Sequence, residues 1–153
     1  MKKIGILCLA IITLFMTGCG AKEKNIEGSL TDIMTKVYEG IPEEDLPMML
    51  SNVEVTKDMI ENYVGTSDID MKEALASEPM VSSIAHSVVL IRMNEGADMD
   101  AAVKAIEENA NPRKWLCVEA DDVVVERKGD LIILIMSSND LTNTLKTNFE
   151  NLQ

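Results

Sequence analysis

Apolar residues recur with helical spacing after residue 29. The first stripe is made of Leu30, Ile33, Met34, Val37 and Tyr38. Ser29 precedes this stripe and Asp32 lies three residues further on, a pattern that resembles a capping box. Gly40 and Pro42 follow the stripe and are typical of a helix end. The pattern therefore predicts a first helix that begins after Ser29 and ends before Gly40.

Three more helices are predicted further along the chain. The second begins at Thr56 and ends at Gly65, the third begins near Asp98, and residues 138–140 can cap the last one. Their apolar faces hold Met59, Ile60, Tyr63 and Val64, then Met99, Ala102, Val103 and Ile106, then Leu141, Leu145, Phe149 and Leu152. The stretch 67–79 is ambiguous between a short helix and an edge strand.

Strand patterns occupy two other regions. Ser83–Met93 reads as a strand whose middle, Val88–Ile91, is apolar on both faces, as in a central strand that is covered on both sides. Val123–Arg127 and Leu131–Met136 are separated only by the tight turn 128–130, so they are expected to form a hairpin.

The order of these elements predicts an α+β fold. We expect a small, mostly antiparallel sheet, made of a central strand near 83–93 and the hairpin 123–136, with helices packed on it. Residues 29–153 suit a single globular domain.

The N-terminus has the pattern of a secretory signal. Lys2 and Lys3 precede an apolar run, Ile4–Phe15, and small residues follow it. The run has about a dozen residues, short of the roughly 20 that a spanning helix needs. We predict that residues 1–18 are a signal peptide and are removed.

The end of that segment resembles a lipobox, the motif of bacterial lipoproteins. Gly18 directly precedes Cys19, Thr17 is acceptable before it, and Met16 replaces the more usual leucine. The resemblance implies cleavage before Cys19 and attachment of lipid with palmitate-type acyl chains to its sulfur, which anchors the protein in the cell membrane, facing outside the cytoplasm. Two acyl chains suffice for stable anchoring. The alternatives are an ordinary secretory signal with a chance cysteine, or an uncleaved anchor. In the lipoprotein interpretation, residues 19–28 are the lipidated cysteine and a polar tether.

Charge and cysteine content narrow the choice of partners. The precursor has 14 basic and 26 acidic residues, and loss of Lys2 and Lys3 leaves the mature chain at a net charge of -14. Nucleic acid is excluded as a partner because binding it needs a basic surface. The expected partners are the membrane, through Cys19, and an envelope protein. Of three cysteines only Cys117 remains unmodified in the mature domain, where no intramolecular disulfide can form, and we expect it to be buried and inert.

Residues with catalytic or metal-binding chemistry are few. His86 is the only histidine, which excludes an HExxH zinc motif, and a hydrogen-bonded structural role is expected for it. A thiol–imidazole pair of Cys117 with His86 is conceivable but unsupported. Four acidic groups do not continue into EF-hand spacing and are expected to be solvated surface charge: residues 43–45, 68 and 70, 98 and 100, and 121 and 122. Met48 and Met49 are expected in the core and not in a copper site. We predict no catalytic residue, no metal ligand and no cofactor.

One basic and aromatic island stands out in this acidic chain. Arg113, Lys114 and Trp115 form a candidate partner surface, because Arg and Trp are enriched where proteins bind one another. The favoured alternative is that Trp115 is a core anchor while Arg113 and Lys114 stay at the surface. The stretch 111–120 (NPRKWLCVEA) also resembles an uncharacterised family of small lipoproteins of Gram-positive bacteria, described only as a domain of unknown function. That resemblance implies no activity.

Together these patterns predict a membrane-anchored extracytoplasmic lipoprotein with a non-enzymatic binding or scaffolding role at the cell envelope. The alternative is a small envelope-associated hydrolase with no recognisable motif.

Overall fold

The computed structural model describes residues 24–153. The predicted signal peptide and Cys19 lie outside the described residues. The helices are α1 (Leu30–Val37), α2 (Ile60–Val64), α3 (Met99–Asn109) and α4 (Asn139–Glu150), with a short 3₁₀ helix at Glu43–Asp45. The strands are β1 (Leu50–Glu54), β2 (Met71–Pro79), β3 (Ser87–Met93), β4 (Asp122–Lys128) and β5 (Leu131–Ser137). None of the helices in 24–153 has the length and apolar character needed to cross a bilayer.

The five strands form one sheet in the order β1-β2-β3-β5-β4, and every pair of neighbours is antiparallel. The predicted α+β class, with an antiparallel sheet packed by helices, is confirmed. β3 is the middle strand and is buried along its whole length, as the apolar run Val88–Ile91 predicts. The hairpin is formed by β4 and β5.

The sequence patterns do not identify two of the strands. β1 was not predicted, because an edge strand with polar residues on both faces shows no alternation. β2 resolves the ambiguous stretch 67–79 as a strand, and it lies inside the sheet rather than at the edge. Two boundaries also differ: β3 begins at Ser87, not Ser83, and α2 begins at Ile60, after a turn that follows Thr56.

Helices cover both faces of the sheet and enclose two cores. The α1–α4 face holds Ile26, Leu30, Ile33, Met34, Val37, Leu75, Val88, Leu90, Leu131, Ile133, Ile135, Leu141, Leu145, Phe149 and Leu152. The α2–α3 face holds Val55, Ile60, Val64, Met71, Ala74, Ala76, Val89, Ile91, Met93, Ala102, Ile106, Ala120, Ile132, Leu134 and Met136. Successive side chains of β3 and β5 thus alternate between the two cores, as strand geometry requires.

Side-chain hydrogen bonds define the starts of two of the predicted helices, α1 and α3. The Asp32 backbone N–H donates to Ser29 Oγ (3.1 Å), which is the first half of the predicted capping box. Asp32 Oδ2 accepts from Ser29 Oγ (2.7 Å), where a complete box has it accept from the Ser29 backbone N–H. Asp98 caps α3 by accepting from the Ala101 N–H (3.0 Å). Ser138 is the N-cap residue of α4, but its side chain makes no capping hydrogen bond.

The register of the strands gives the sheet two distinct ends. At one end Arg92 pairs with Leu131 and Met71 with Met93. We call this the strap end, because residues 24–28 lie against it. At the other end Leu50 pairs with Pro79 and Ser87 with Met136, and β4 begins there. We call it the loop end, since the loops 46–49, 80–86 and 110–121 meet there.

Arg92 fastens residues 24–28, the strap, to the sheet. Its Nη1 donates to the Ile26 carbonyl (2.8 Å) and its Nη2 to the Gly28 carbonyl (2.8 Å). The guanidinium also pairs with Glu73 and Asp130, both at 2.8 Å. Ile26 is only 4% exposed, so the folded domain includes Ile26 and Gly28, which we predicted to be part of the tether.

A glycine allows the strap to lie close to the β4–β5 turn. Gly129 has φ +58°, and a Cβ there would lie 2.5 Å from the Lys24 carbonyl oxygen. A side chain at this position would therefore both strain the turn and displace the strap.

Candidate functional site

The three residues of the predicted partner surface have different surroundings. The Arg113 side chain is 75% exposed and pairs with Glu119 at 3.3 Å. Trp115 is half-buried and packs against the α2–α3 core, so it is neither a fully enclosed anchor nor a free surface residue. The prediction that Lys114 stays at the surface is wrong, since its side chain is only 15% exposed. Its ammonium is paired with the half-buried carboxylate of Glu78.

Lys114 is the centre of a polar cluster at the loop end. Its Nζ lies 2.5 Å from Glu78 Oε1 and donates to Ser87 Oγ at 3.1 Å. The same Nζ lies 5.3 Å from the centre of the Tyr63 ring and 5.4 Å from that of Trp115, within the range of cation–π attraction. Burial, and secondarily the negative charge of Glu78, raises the pKa of the Tyr63 phenol.

This cluster has a serine and a lysine in contact, but not in the form that a serine–lysine enzyme needs. Ser87 is fully buried, and its hydroxyl donates to Glu78 Oε1 at 2.6 Å. A lysine that acts as a base must be neutral, whereas Lys114 is in an ion pair with Glu78. The contacts instead tie loop 110–121 to β2 and β3.

His86 is the centre of a second polar cluster, beneath the α1–α4 face. Its Nε2 lies 2.7 Å from the Tyr38 hydroxyl and its Nδ1 lies 2.8 Å from Ser137 Oγ. One arrangement that satisfies both ring nitrogens has Tyr38 donating to Nε2 while Nδ1 donates to Ser137. Burial lowers the pKa of His86 to about 4 and raises that of the Tyr38 phenol. The expected hydrogen-bonded structural histidine is confirmed, one residue before β3 rather than within a strand.

Ser137 and His86 have the spacing of a nucleophile and its base, but a substrate has no route to them. Their exposed fractions are 2% and 0%. Sequence reasoning missed this pair because 51 residues separate them. A signal did exist: Ser137 is the polar residue that closes the apolar run of β5.

The prediction that Cys117 is buried is wrong. Cys117 is exposed and has φ +62°, in the left-handed region that non-glycine residues seldom adopt. It lies in the irregular loop 110–121, where a turn directs it to solvent. The conceivable pair with His86 is not formed, because both ring nitrogens of His86 face Tyr38 and Ser137.

Acidic side chains do not converge on a metal site in the part of the chain that the structure describes. Within 24–153 there is no group of three or more His, Cys, Asp or Glu residues that could hold an ion. Asp98 caps a helix and Asp100 pairs with Arg127 at 3.3 Å, which accounts for one of the acidic pairs.

Large apolar side chains are exposed at the loop end. Met48 is 73% exposed, Met49 58%, Met80 72% and Leu116 72%. The Met80 N–H donates to the Met49 carbonyl at 3.0 Å, so these two loops are in contact. The expectation that Met48 and Met49 lie in the core is therefore wrong, because both precede an edge strand that no helix covers.

An open groove of about 760 Å³ lies beside these methionines, between α1 and β1. Met34 and Tyr38 of α1 line one wall, and Leu46, Leu50 and Asn52 line the other. Ser77 of β2 forms part of the floor. The groove opens beside β1 because α1 makes its main contacts with the sheet on β2 and β3.

The chain shows no match to a family model, to a curated protein or to a solved structure. The resemblance of residues 111–120 to an uncharacterised lipoprotein family therefore stays a prediction.

Proposed function

We propose that this protein is a lipid-anchored module that faces outside the cytoplasm and binds a partner at the cell envelope without catalysing a reaction. The observation that carries the proposal is the difference between the two ends of the sheet. The chain enters the domain at the strap end, while the four most exposed large apolar side chains and the groove lie at the loop end.

The strap supports an oriented attachment. Residues between Cys19 and Ile26 span at most about 25 Å, so a lipid on Cys19 would hold the domain close to the bilayer. Arg92 fixes the point at which this short connection joins the sheet. The strap end then faces the membrane, and the loop end faces away from it. The net charge of -14 also keeps the folded domain from lying flat on an anionic surface.

The loop end supports binding. Exposed apolar residues that gather on one surface are typical of interaction sites, whereas single scattered ones are ordinary. In contrast, the two clusters with catalytic residue types, around Lys114 and His86, are enclosed and hydrogen-bonded.

Anchoring is tested by changing Cys19→Ala, with Cys117→Ala as the matched control at the other mature cysteine. We expect Cys19→Ala to leave the protein unprocessed or release it from the membrane fraction. Cys117→Ala should stay in that fraction at high salt. Processing and retention of Cys19→Ala like wild type would overturn the anchor.

Orientation and binding are tested with a photo-crosslinking amino acid in place of Leu116 at the loop end or Glu95 at the strap end, both exposed. On intact cells, position 116 should capture a protein and position 95 should capture lipid. Capture of the same protein from both positions, or of none from position 116, would contradict the proposal.

A further inference from the structure

The edge of the sheet at β1 has backbone groups directed to solvent. The Met80 N–H donates to the Met49 carbonyl (3.0 Å), and the Val55 N–H donates to the Ala74 carbonyl (2.9 Å). Hydrogen bonding alternates along an antiparallel pair, so the odd-numbered residues of this stretch bond to β2. Leu50, Asn52 and Glu54 therefore direct their N–H and C=O groups away from the sheet.

The opposite edge is protected and β1 is not. In β4, Glu126 pairs with Lys146 of α4, and Arg127 pairs with Asp100 of α3. Charged side chains of this kind hinder the addition of another strand. β1 (LSNVE) has no lysine and no proline, and its register with β2 is regular.

The groove lies on the side to which the next strand would extend. Leu50 and Asn52 direct their side chains to the α1–α4 face, because Asn52 pairs with Ser77, two residues from the core residue Leu75. In a strand added beside β1, every second side chain would point to this same face. These side chains would enter the groove, where Met34 lines one wall and Leu46 the other.

Five carboxylates lie on the groove or next to its lining residues, and we call them its rim. Glu39 lines the groove, Glu43–Asp45 directly precede the wall residue Leu46, and Glu54 ends β1. None of these five carboxylates forms an ion pair with another residue of 24–153. Lys36 is the one basic residue among those that line the groove. The rim therefore complements positive charge.

We infer that the groove between α1 and β1 binds an extended, basic segment of a partner polypeptide, which adds to the sheet as a sixth strand beside β1. Main-chain hydrogen bonds to Leu50, Asn52 and Glu54 would supply affinity, and the groove and rim would select alternating apolar and basic side chains. A second copy of this chain is disfavoured as the occupant, because pairing β1 with itself brings two acidic rims together. The inference rests on the proposed binding function and names the class of partner.

The test uses the full chain in a non-ionic detergent and a fluorescent octapeptide that alternates lysine and valine. The comparison peptide alternates glutamate and valine. We expect the lysine peptide to bind at least about tenfold more tightly. It should also slow hydrogen exchange of the amides in residues 50–54. Equal binding of the two peptides, or protection elsewhere without protection of β1, would overturn the inference.

Two pairs of variants separate strand addition from general attraction to an acidic protein. Asn52→Pro removes an outward N–H, which an edge strand tolerates, and should weaken binding at least about tenfold. Asn52→Ala removes only the side chain and should change binding by less than about threefold. The double change Glu43→Lys and Glu44→Lys should weaken binding, whereas Glu107→Lys with Glu108→Lys on α3 makes the same change in net charge and should not. Equal weakening by both charge variants would overturn the site.

A modified peptide keeps the test decisive if Asn52→Pro fails to fold. Methylation of alternate backbone nitrogens along one edge of the lysine–valine peptide removes its donors to β1 and leaves its charge unchanged. Loss of binding supports strand addition, and unchanged binding overturns it. The inference would also be overturned if the protein self-associates, if Asn52→Pro abolishes this self-association and if the peptide does not compete with it. The occupant of the groove would then be a second copy of the chain. These measurements do not depend on the lipid, so their failure is distinct from failure of the anchoring experiment.

Discussion

The two ends of the sheet each hold a cation beside carboxylates, and they use it differently. At the strap end, Arg92 contacts two carboxylates and two backbone carbonyls through a planar fork. At the loop end, Lys114 contacts one carboxylate and one hydroxyl and lies beside two aromatic rings. The strap end is thereby closed, whereas the loop end keeps apolar side chains in solvent.

The difference follows from the chemistry of the two side chains. A guanidinium has several donors in fixed directions and can fasten a length of backbone, while an ammonium is a point charge that holds one loop. The end at which the strap lies is thus held by more directional contacts than the end that we propose to bind a partner.

The largest expected effect is at Arg92. Arg92→Met should lower the free energy of unfolding by about 3–5 kcal/mol, because Asp130 Oδ2 and the carbonyls of Ile26 and Gly28 lose the donors that Arg92 supplies. Urea unfolding of the domain measures this. Arg92→Lys keeps the charge and loses the fork, and should recover only part of the stability. Full recovery with lysine would mean that charge, not geometry, holds the strap.

A pH-dependent effect is expected from His86 beneath the loop end. Its pKa is about 4 in the folded protein and about 6.5 in the unfolded chain. As the pH falls below 6.5 the unfolded chain gains a proton first, so stability decreases until the pH reaches about 4 and this contribution then levels off. The loss should approach about 2–3 kcal/mol. Unfolding free energies measured from pH 7 to 4.5 should show a smaller slope in His86→Gln, and identical slopes would contradict the assignment.

Trp115 gives an intermediate effect because it is half-buried. Trp115→Ala should lower the free energy of unfolding by about 2 kcal/mol. Truncation of a fully enclosed aromatic residue typically costs about 3–5 kcal/mol. Leu116→Ala, at the exposed neighbour, should stay within about 0.5 kcal/mol. Urea midpoints of the two variants provide the comparison. If Trp115→Ala lowers stability as little as Leu116→Ala, Trp115 is a surface residue and does not contribute to the core.

The smallest effect on stability, and the clearest on reactivity, is at Cys117. A thiol reagent should label the folded domain stoichiometrically without denaturant, since Cys117 is exposed. Cys117→Ser should abolish labelling and change stability by less than about 0.5 kcal/mol. Labelling that requires urea would show that loop 110–121 closes over the thiol.

Local patterns predicted the elements whose signals are local. The stripe of α1 and its cap at Ser29, the cap of α3 at Asp98 and the apolar run of β3 each lie within a few residues of sequence. The β4–β5 hairpin follows from one tight turn. β1 was not predicted, since it is polar on both faces. The stretch that holds β2 stayed ambiguous between a short helix and an edge strand, since its buried positions include small alanines.

The sequence by itself determined the fold class, the starts of α1 and α3 and the apolar middle of the central strand, because hydrophobic periodicity and capping act over one or two turns. Only the tertiary structure decided which polar side chains meet. Lys114 and Glu78 are 36 residues apart, His86 and Ser137 51, and Arg92 and Ile26 66. It also decided that Cys117 is exposed and that a groove opens beside β1, since exposure depends on where the helices end over the sheet. No local pattern contains that information.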